Sequence, residues 1–147
     1  RFDPMAMLPF CGYNMADYFG HWLKVGSAAK PENLPQIFFV NWFRRDTDGR
    51  FLWPGYGENS RVLKWVFERL DGTAGAVETP IGNLPVVSDL DTSGLKVDAA
   101  DMNTLLSLDT AGWLEAVPQI REHYATFGAK LPQQLSAALD LLEKALV

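Results

Sequence analysis

One stretch, NWFRRDTDGRFLWPGYGENSR at residues 41–61, limits what this chain can fold into more than any other. It packs five large rings, Trp42, Phe43, Phe51, Trp53 and Tyr56, into 21 positions shared with Gly, Pro, Asp and Arg. Rings of that size belong in a core or on a ligand. The residues between them are those of turns. The DTDG at 46–49 reads as a tight turn, and RFLW after it can return antiparallel until Pro54 ends it. Before the turn, QIFFVNWF is rich in β-branched and aromatic residues, so a strand is expected over residues 36–43. The stretch is therefore a hairpin followed by a Gly-rich corner at Gly55 and Gly57.

Helical periodicity frames it on both sides. In NMADYFGHWLKVG, Asn14 is placed to cap and Asp17 suits the positive end of the helix dipole. Met15, Tyr18, Phe19, Trp22 and Leu23 mark the buried face, and Gly26 marks a stop. In ENSRVLKWVFERLDG, Asn59 or Ser60 should cap, Val62, Leu63, Val66, Phe67 and Leu70 should be buried, and Gly72 should end the helix. Residues 73–97 read as loop with short extended pieces around TPIGNLP. Asp98 opens AADMNTLLSL, and Asp109 or Thr110 opens a longer helix carrying Trp113, Val117, Ile120 and Tyr124. Pro118 should kink or split that helix. Pro132 suits the first turn of a last helix buried through Leu135, Leu139, Leu142 and Leu146. The order of helix, antiparallel hairpin, helix, loop and helices makes an α+β piece.

Charge and thiol content remove several function classes. The net charge of −5 and pI near 4.9 argue against a nucleic-acid partner. No run reaches the roughly 18 apolar residues of a membrane span. A single cysteine, Cys11, fits a reducing, cytoplasmic setting. The chain begins on Arg1 without an initiator methionine, as a piece of a longer one would.

Reactive motifs are few. His21 and His123 lack zinc-ligand spacing, so no metal site is expected. Cys11 has no neighbouring base, and Asp46 and Asp48 are explained by turn chemistry. GYGENS offers two glycines before a helix, but Ser60 stands where a dinucleotide fingerprint needs its third glycine. No Gly-Lys-Ser or Gly-Lys-Thr occurs anywhere. The ring cluster is different. From spacing alone, core packing is its commoner fate. Yet rings beside the amide of Asn59, which both donates and accepts, are the parts of a slot for a planar base.

The blocks FDPMAMLPFCGYN, HWL, LPQIFFVNWFRRDTDGRFLWPGYGENSRVLKW and TPIGNLP closely resemble the C-terminal part of the GTP-dependent phosphoenolpyruvate carboxykinase family. The resemblance runs along essentially the whole chain, strongest over residues 2–85. It implies an incomplete C-terminal piece of a larger, mixed α/β, two-lobed enzyme, cytoplasmic and monomeric when complete. Residues 1–147 would be a single guanine-nucleotide-binding portion with a helical tail at 98–147. The implied activity is that of a gluconeogenic lyase, a decarboxylase turning oxaloacetate and GTP into phosphoenolpyruvate, GDP and carbon dioxide. Manganese, and magnesium on the nucleotide, are the implied metals.

By the same resemblance, Phe43 and Tyr56 sandwich the base, Phe51 lines its edge and Asn59 hydrogen-bonds to it. Trp42 and Trp53 support the wall. The family usually carries Phe where this chain has Tyr56. Metal ligands, phosphate loop, reactive cysteine and oxaloacetate-holding arginines would lie in a missing N-terminal part, the chain's natural partner. A mobile lid would end just before Arg1. No catalytic or metal-binding residue is then expected here, and Cys11 does not match the reactive cysteine. Two other readings stay open: a non-catalytic module gripping a nucleotide or partner through exposed rings, and a satellite core in which the rings touch no ligand.

Overall fold

A computed structural model describes residues 8–147. The FDPMAM block and the expected lid boundary lie outside the described residues. The chain divides into two compact units: the residues before Gln36 together with Asp109–Val147, and Gln36–Leu108. The boundary separates the third helix from the two that follow it, so the stretch 98–147 is shared between the units.

The first unit is helical. Asn14 caps helix α1 (Met15–Ala28) as its sequence predicts, accepting the Ala16 N–H at 2.9 Å, while its Nδ2 donates to Phe127 O at 3.0 Å. Gly26 does not stop α1, which runs two residues further to Ala28. The stop is set by Pro31, which holds Lys30 extended (ψ 135°) ahead of a 3-10 turn at Pro31–Asn33. Met15, Ala16 and Phe127 form the buried centre, with Tyr18, Phe19 and Tyr124 around it. Trp22, expected inside, is 40% exposed with its edge on Tyr18.

Asp109 caps helix α4 (Thr110–Ala125) through Gly112 N. Pro118 lies inside this helix and does not split it. A proline forfeits one ladder bond, and here it does so on the exposed side next to the fully buried Val117. Helix α5 (Gln133–Leu146) packs on α4, with Leu139 and Leu146 buried and Leu135 and Leu142 half-buried. Pro132 stands at the cap position, one residue before the first turn.

The second unit is α+β. The expected hairpin is present, but its first arm is not a strand. Residues 36–43 pair with nothing, and regular pairing is limited to a bridge between Arg45 and Phe51. A strand exists only by bonding to a neighbour, and high β-propensity cannot supply one. The turn itself forms as its residues dictate. Asp46 Oδ1 accepts from Asp48 N and Arg50 N, and Leu52 N bonds Arg44 O at 3.0 Å. The only sheet among the described residues comes from the stretch that reads as loop: β1 (Ala76–Thr79) pairs antiparallel with β2 (Gly82–Pro85).

Helix α2 (Asn59–Leu70) ends where expected, at Gly72 with φ 72°. Its buried face is not the expected one. Trp65 is buried with Val62 and Val66 against it, whereas Leu63, Phe67 and Leu70 are exposed. Trp65 draws the helix round because its ring fills the centre formed by Trp53, Ala74, Leu90 and Met102. Helix α3 (Ala99–Leu106), capped by Asp98 through Asp101 N, closes that core through Met102.

Candidate functional site

The five rings of residues 41–61 separate into two populations. Trp53 is buried and Trp42 half-buried, both in the core of the second unit. Phe43 is 71% exposed, Phe51 46% and Tyr56 98%. Burial alternates from Trp42 to Arg45: Trp42 and Arg44 are half-buried, while Phe43 and Arg45 are exposed. The bridge then sets Arg45 opposite Phe51. The result is a small outward face. Phe43 meets Phe51 edge to face at 6.2 Å, and the Arg45 guanidinium lies 4.1 Å from the Phe51 ring centre.

Tyr56 sits apart from that pair in an unusual backbone state. Gly55 (φ 74°) and Tyr56 (φ 45°) turn the corner after Pro54, and Tyr56 is the one non-glycine residue with positive φ among those described. A bulky residue there costs about 1–2 kcal/mol. With its ring almost fully exposed, Tyr56 regains none of this by packing. Replacing it with glycine should raise unfolding stability by up to about 1 kcal/mol. Urea denaturation measures this, and a loss of stability would show that the ring packs after all.

A 3-10 turn at Tyr56–Glu58 leads straight into α2, so neither Asn59 nor Ser60 caps the helix. The Asn59 N–H already bonds Gly57 O and Tyr56 O, and Ser60 Oγ donates to Gly57 O. The Asn59 side chain instead turns back, its Oδ1 accepting the Trp53 indole N–H at 3.0 Å.

Three arginines brace the corner and hairpin. Arg44 donates to Leu105 O and Ser107 O at the end of α3. Arg61 joins Glu58 to Asp91 O and Ser93 O. Arg50 grips Asp101 through two bonds, 2.6 and 3.2 Å, and Asp46 at 3.0 Å. None is expected from motifs. An inward Arg44 on the same side as Trp42 is nevertheless a legible signal, because a cation facing a core demands acceptors.

The Arg50 hydrogen bonds hold the Asp101 carboxyl below its ordinary range, against the opposing effect of burial. A carboxylate depressed in the folded state contributes stability that is complete above its unfolded pKa of about 4. That contribution is lost as pH falls through the lower folded value. Midpoints of urea unfolding between pH 6 and 2 should therefore drop less steeply for Asp101→Asn than for the parent below about pH 4. Parallel curves would show that the pair adds no net stability.

The ring face is a platform, not a cavity. One concavity of the second unit, about 350 Å³, is lined by Arg50, Leu95, Lys96, Val97, Asp98 and Asp101. Its principal cation is already matched by Asp101. Among the described residues no three His, Cys, Asp or Glu side chains come together as a metal site. Among the described residues no helix is long and apolar enough to cross a membrane. Phe43 and Phe51, with the Arg45 guanidinium on the Phe51 ring, offer stacking faces, and the Tyr56 ring and the Asn59 amide belong to the corner that follows them in the chain.

An α+β segment presenting such a platform is the class that fold and site define. Residues 1–145 match the family described as the phosphoenolpyruvate carboxykinase C-terminal P-loop domain, and the chain belongs to that family. It is similar to phosphoenolpyruvate carboxykinase [GTP] of Treponema pallidum (strain Nichols), with 61% identity over 144 residues. That match covers 97% of this chain and 23% of the relative. The enzyme of the same name from Neocallimastix frontalis is 58% identical over 147 residues, covering 99% of this chain and 24% of the relative. That from Paenarthrobacter aurescens (strain TC1) is 50% identical over 143 residues, covering 97% and 24%. The chain thus spans about a quarter of the length of the curated relatives it matches.

Proposed function

We propose that this chain supplies the guanine pocket of a GTP-dependent phosphoenolpyruvate carboxykinase. Phe43 and Tyr56 stack on the two faces of the base, Phe51 borders its edge and Asn59 hydrogen-bonds to it. Trp42 and Trp53 hold the wall from inside. The observation that carries this reading is the division of the ring cluster. The indoles serve the core, while Phe43, Phe51 and Tyr56 stay exposed, Tyr56 on a strained backbone and three residues ahead of Asn59. A cluster serving only as a core would have buried all five.

The complete enzyme would convert oxaloacetate and GTP to phosphoenolpyruvate, GDP and carbon dioxide, in the cytoplasm and as a monomer. We assign the manganese and magnesium ligands, the phosphate loop and the oxaloacetate site to the three quarters of the family's length outside this chain. Residues 1–147 then form one guanine-binding portion of a two-lobed α/β enzyme, with the helices from 98 onward as its tail. That remainder is also the partner we assign to the exposed Ile37 and Phe39 and to the Leu63, Phe67 and Leu70 stripe of α2. Alone, the chain should turn over nothing.

Tryptophan fluorescence tests the reading, because Trp53 touches Asn59. Titration of the complete enzyme with GDP should give saturable quenching, and ADP far less, since adenine lacks the O6 acceptor and N2 amine of guanine. Equal responses to both, or none to either, would overturn the guanine assignment. The same titration of this chain alone asks whether the pocket is self-contained.

A further inference from the structure

We infer that Trp53 determines which purine the site accepts, by fixing the orientation of the Asn59 amide. The inference rests on the guanine reading above and gives Trp53 a role beyond supporting the wall. An asparagine amide is nearly symmetric in shape but not in chemistry: one end accepts and the other only donates. An indole N–H only donates, so the atom facing Trp53 at 3.0 Å has to be the oxygen. The reverse orientation would set donor against donor and leave a buried indole N–H unpaired, which is costly. Trp53 cannot move aside to permit it. Its ring is 6% exposed and packed in the core with Trp65 and Met102.

The consequence falls on Nδ2. With Oδ1 engaged, Asn59 turns its NH₂ away from the indole, and Nδ2 makes no hydrogen bond with any described residue. The free end of the side chain is therefore a donor. At position 6 guanine carries an acceptor, O6, whereas adenine carries a donor, N6. A locked donor welcomes the first and opposes the second. Without the lock the amide could rotate by half a turn and offer Oδ1 to adenine. Trp53 is thus a positioning residue for a 6-oxo purine, acting from the core without touching the ligand.

Calorimetric affinities of the complete enzyme for GDP, ADP and 2,6-diaminopurine riboside diphosphate test this. The last keeps guanine's 2-amino group but carries an amine at position 6. In Trp53→Phe the preference for GDP over ADP should fall roughly tenfold, the worth of one hydrogen bond. The diaminopurine nucleotide should move with ADP. A purely structural loss would weaken all three alike and leave the ratios unchanged, which would overturn the inference. Should Trp53→Phe fail to fold, benzothienylalanine at position 53 keeps the bicyclic ring, replaces N–H by sulfur and is expected to lower the same ratio.

Asn59→Asp separates the inference from the reading beneath it. A carboxylate still accepts from the indole but has no donor to offer, so the GDP preference should collapse. If Asn59→Asp lowers the preference and both Trp53 variants leave it intact, Asn59 reads the base and Trp53 does not orient it. If none of the variants changes the preference, the Asn59 assignment fails as well.

Discussion

Trp65→Ala is expected to lower the unfolding free energy by about 3–5 kcal/mol, the cost of emptying a large aromatic site that cannot collapse. Trp65 is 5% exposed and central to the core of the second unit, with Phe38 edge-on at 6.1 Å. A loss of that size takes a large share of the roughly 5–15 kcal/mol that holds a typical domain together. Urea unfolding followed by far-ultraviolet dichroism measures it. Trp65→Phe should behave very differently. The Trp65 indole N–H is buried without an acceptor among the described residues. Phenylalanine removes that orphan donor, recovering about 1–3 kcal/mol against the smaller cavity it leaves. If Trp65→Phe is as damaging as Trp65→Ala, the N–H has a partner and this account of the core is wrong.

The second large effect is on binding, with little on folding. Phe43→Ala removes a ring that is 71% exposed, so stability should stay within about 0.5 kcal/mol of the parent. Base–aromatic stacking is worth about 1–3 kcal/mol per base, so GDP affinity of the complete enzyme should fall roughly 5- to 150-fold. Paired measurement of GDP affinity and urea midpoint decides it. Unchanged affinity would remove Phe43 from the pocket. Lost stability would return it to the core, as the satellite-core reading requires. Trp42→Ala on the neighbouring residue should show the opposite pattern, since its ring packs inward.

These contrasting neighbours show where sequence stops being informative. Asn14, Asp98 and Asp109 cap their helices as read, because a cap bonds to N–H groups two or three residues away. The DTDG turn forms as read because Asp46 serves donors within four residues of itself. Family membership was equally legible, carried by the long block from Leu34 to Trp65.

Features that needed a distant neighbour were not legible. Residues 36–43 have strand chemistry but no strand to bond, while the plainer residues of β1 and β2 find each other across a two-residue turn. Periodicity placed α2's apolar residues on a helix but not which of two stripes faces inward, and Trp65 settled that by filling the core. Asn59 looked like a cap until the 3-10 entry to α2 satisfied its backbone and freed its side chain for Trp53.

Sequence by itself determined the helices, the Asn14, Asp98 and Asp109 caps, the hairpin turn and the presence of five rings close in sequence to an amide, because each depends on chemistry within a few residues. Only the tertiary structure decided which rings are core and which are surface, and which end of Asn59 is left free. Burial and buried hydrogen bonds depend on groups brought together from distant parts of the chain, and no local pattern encodes their meeting.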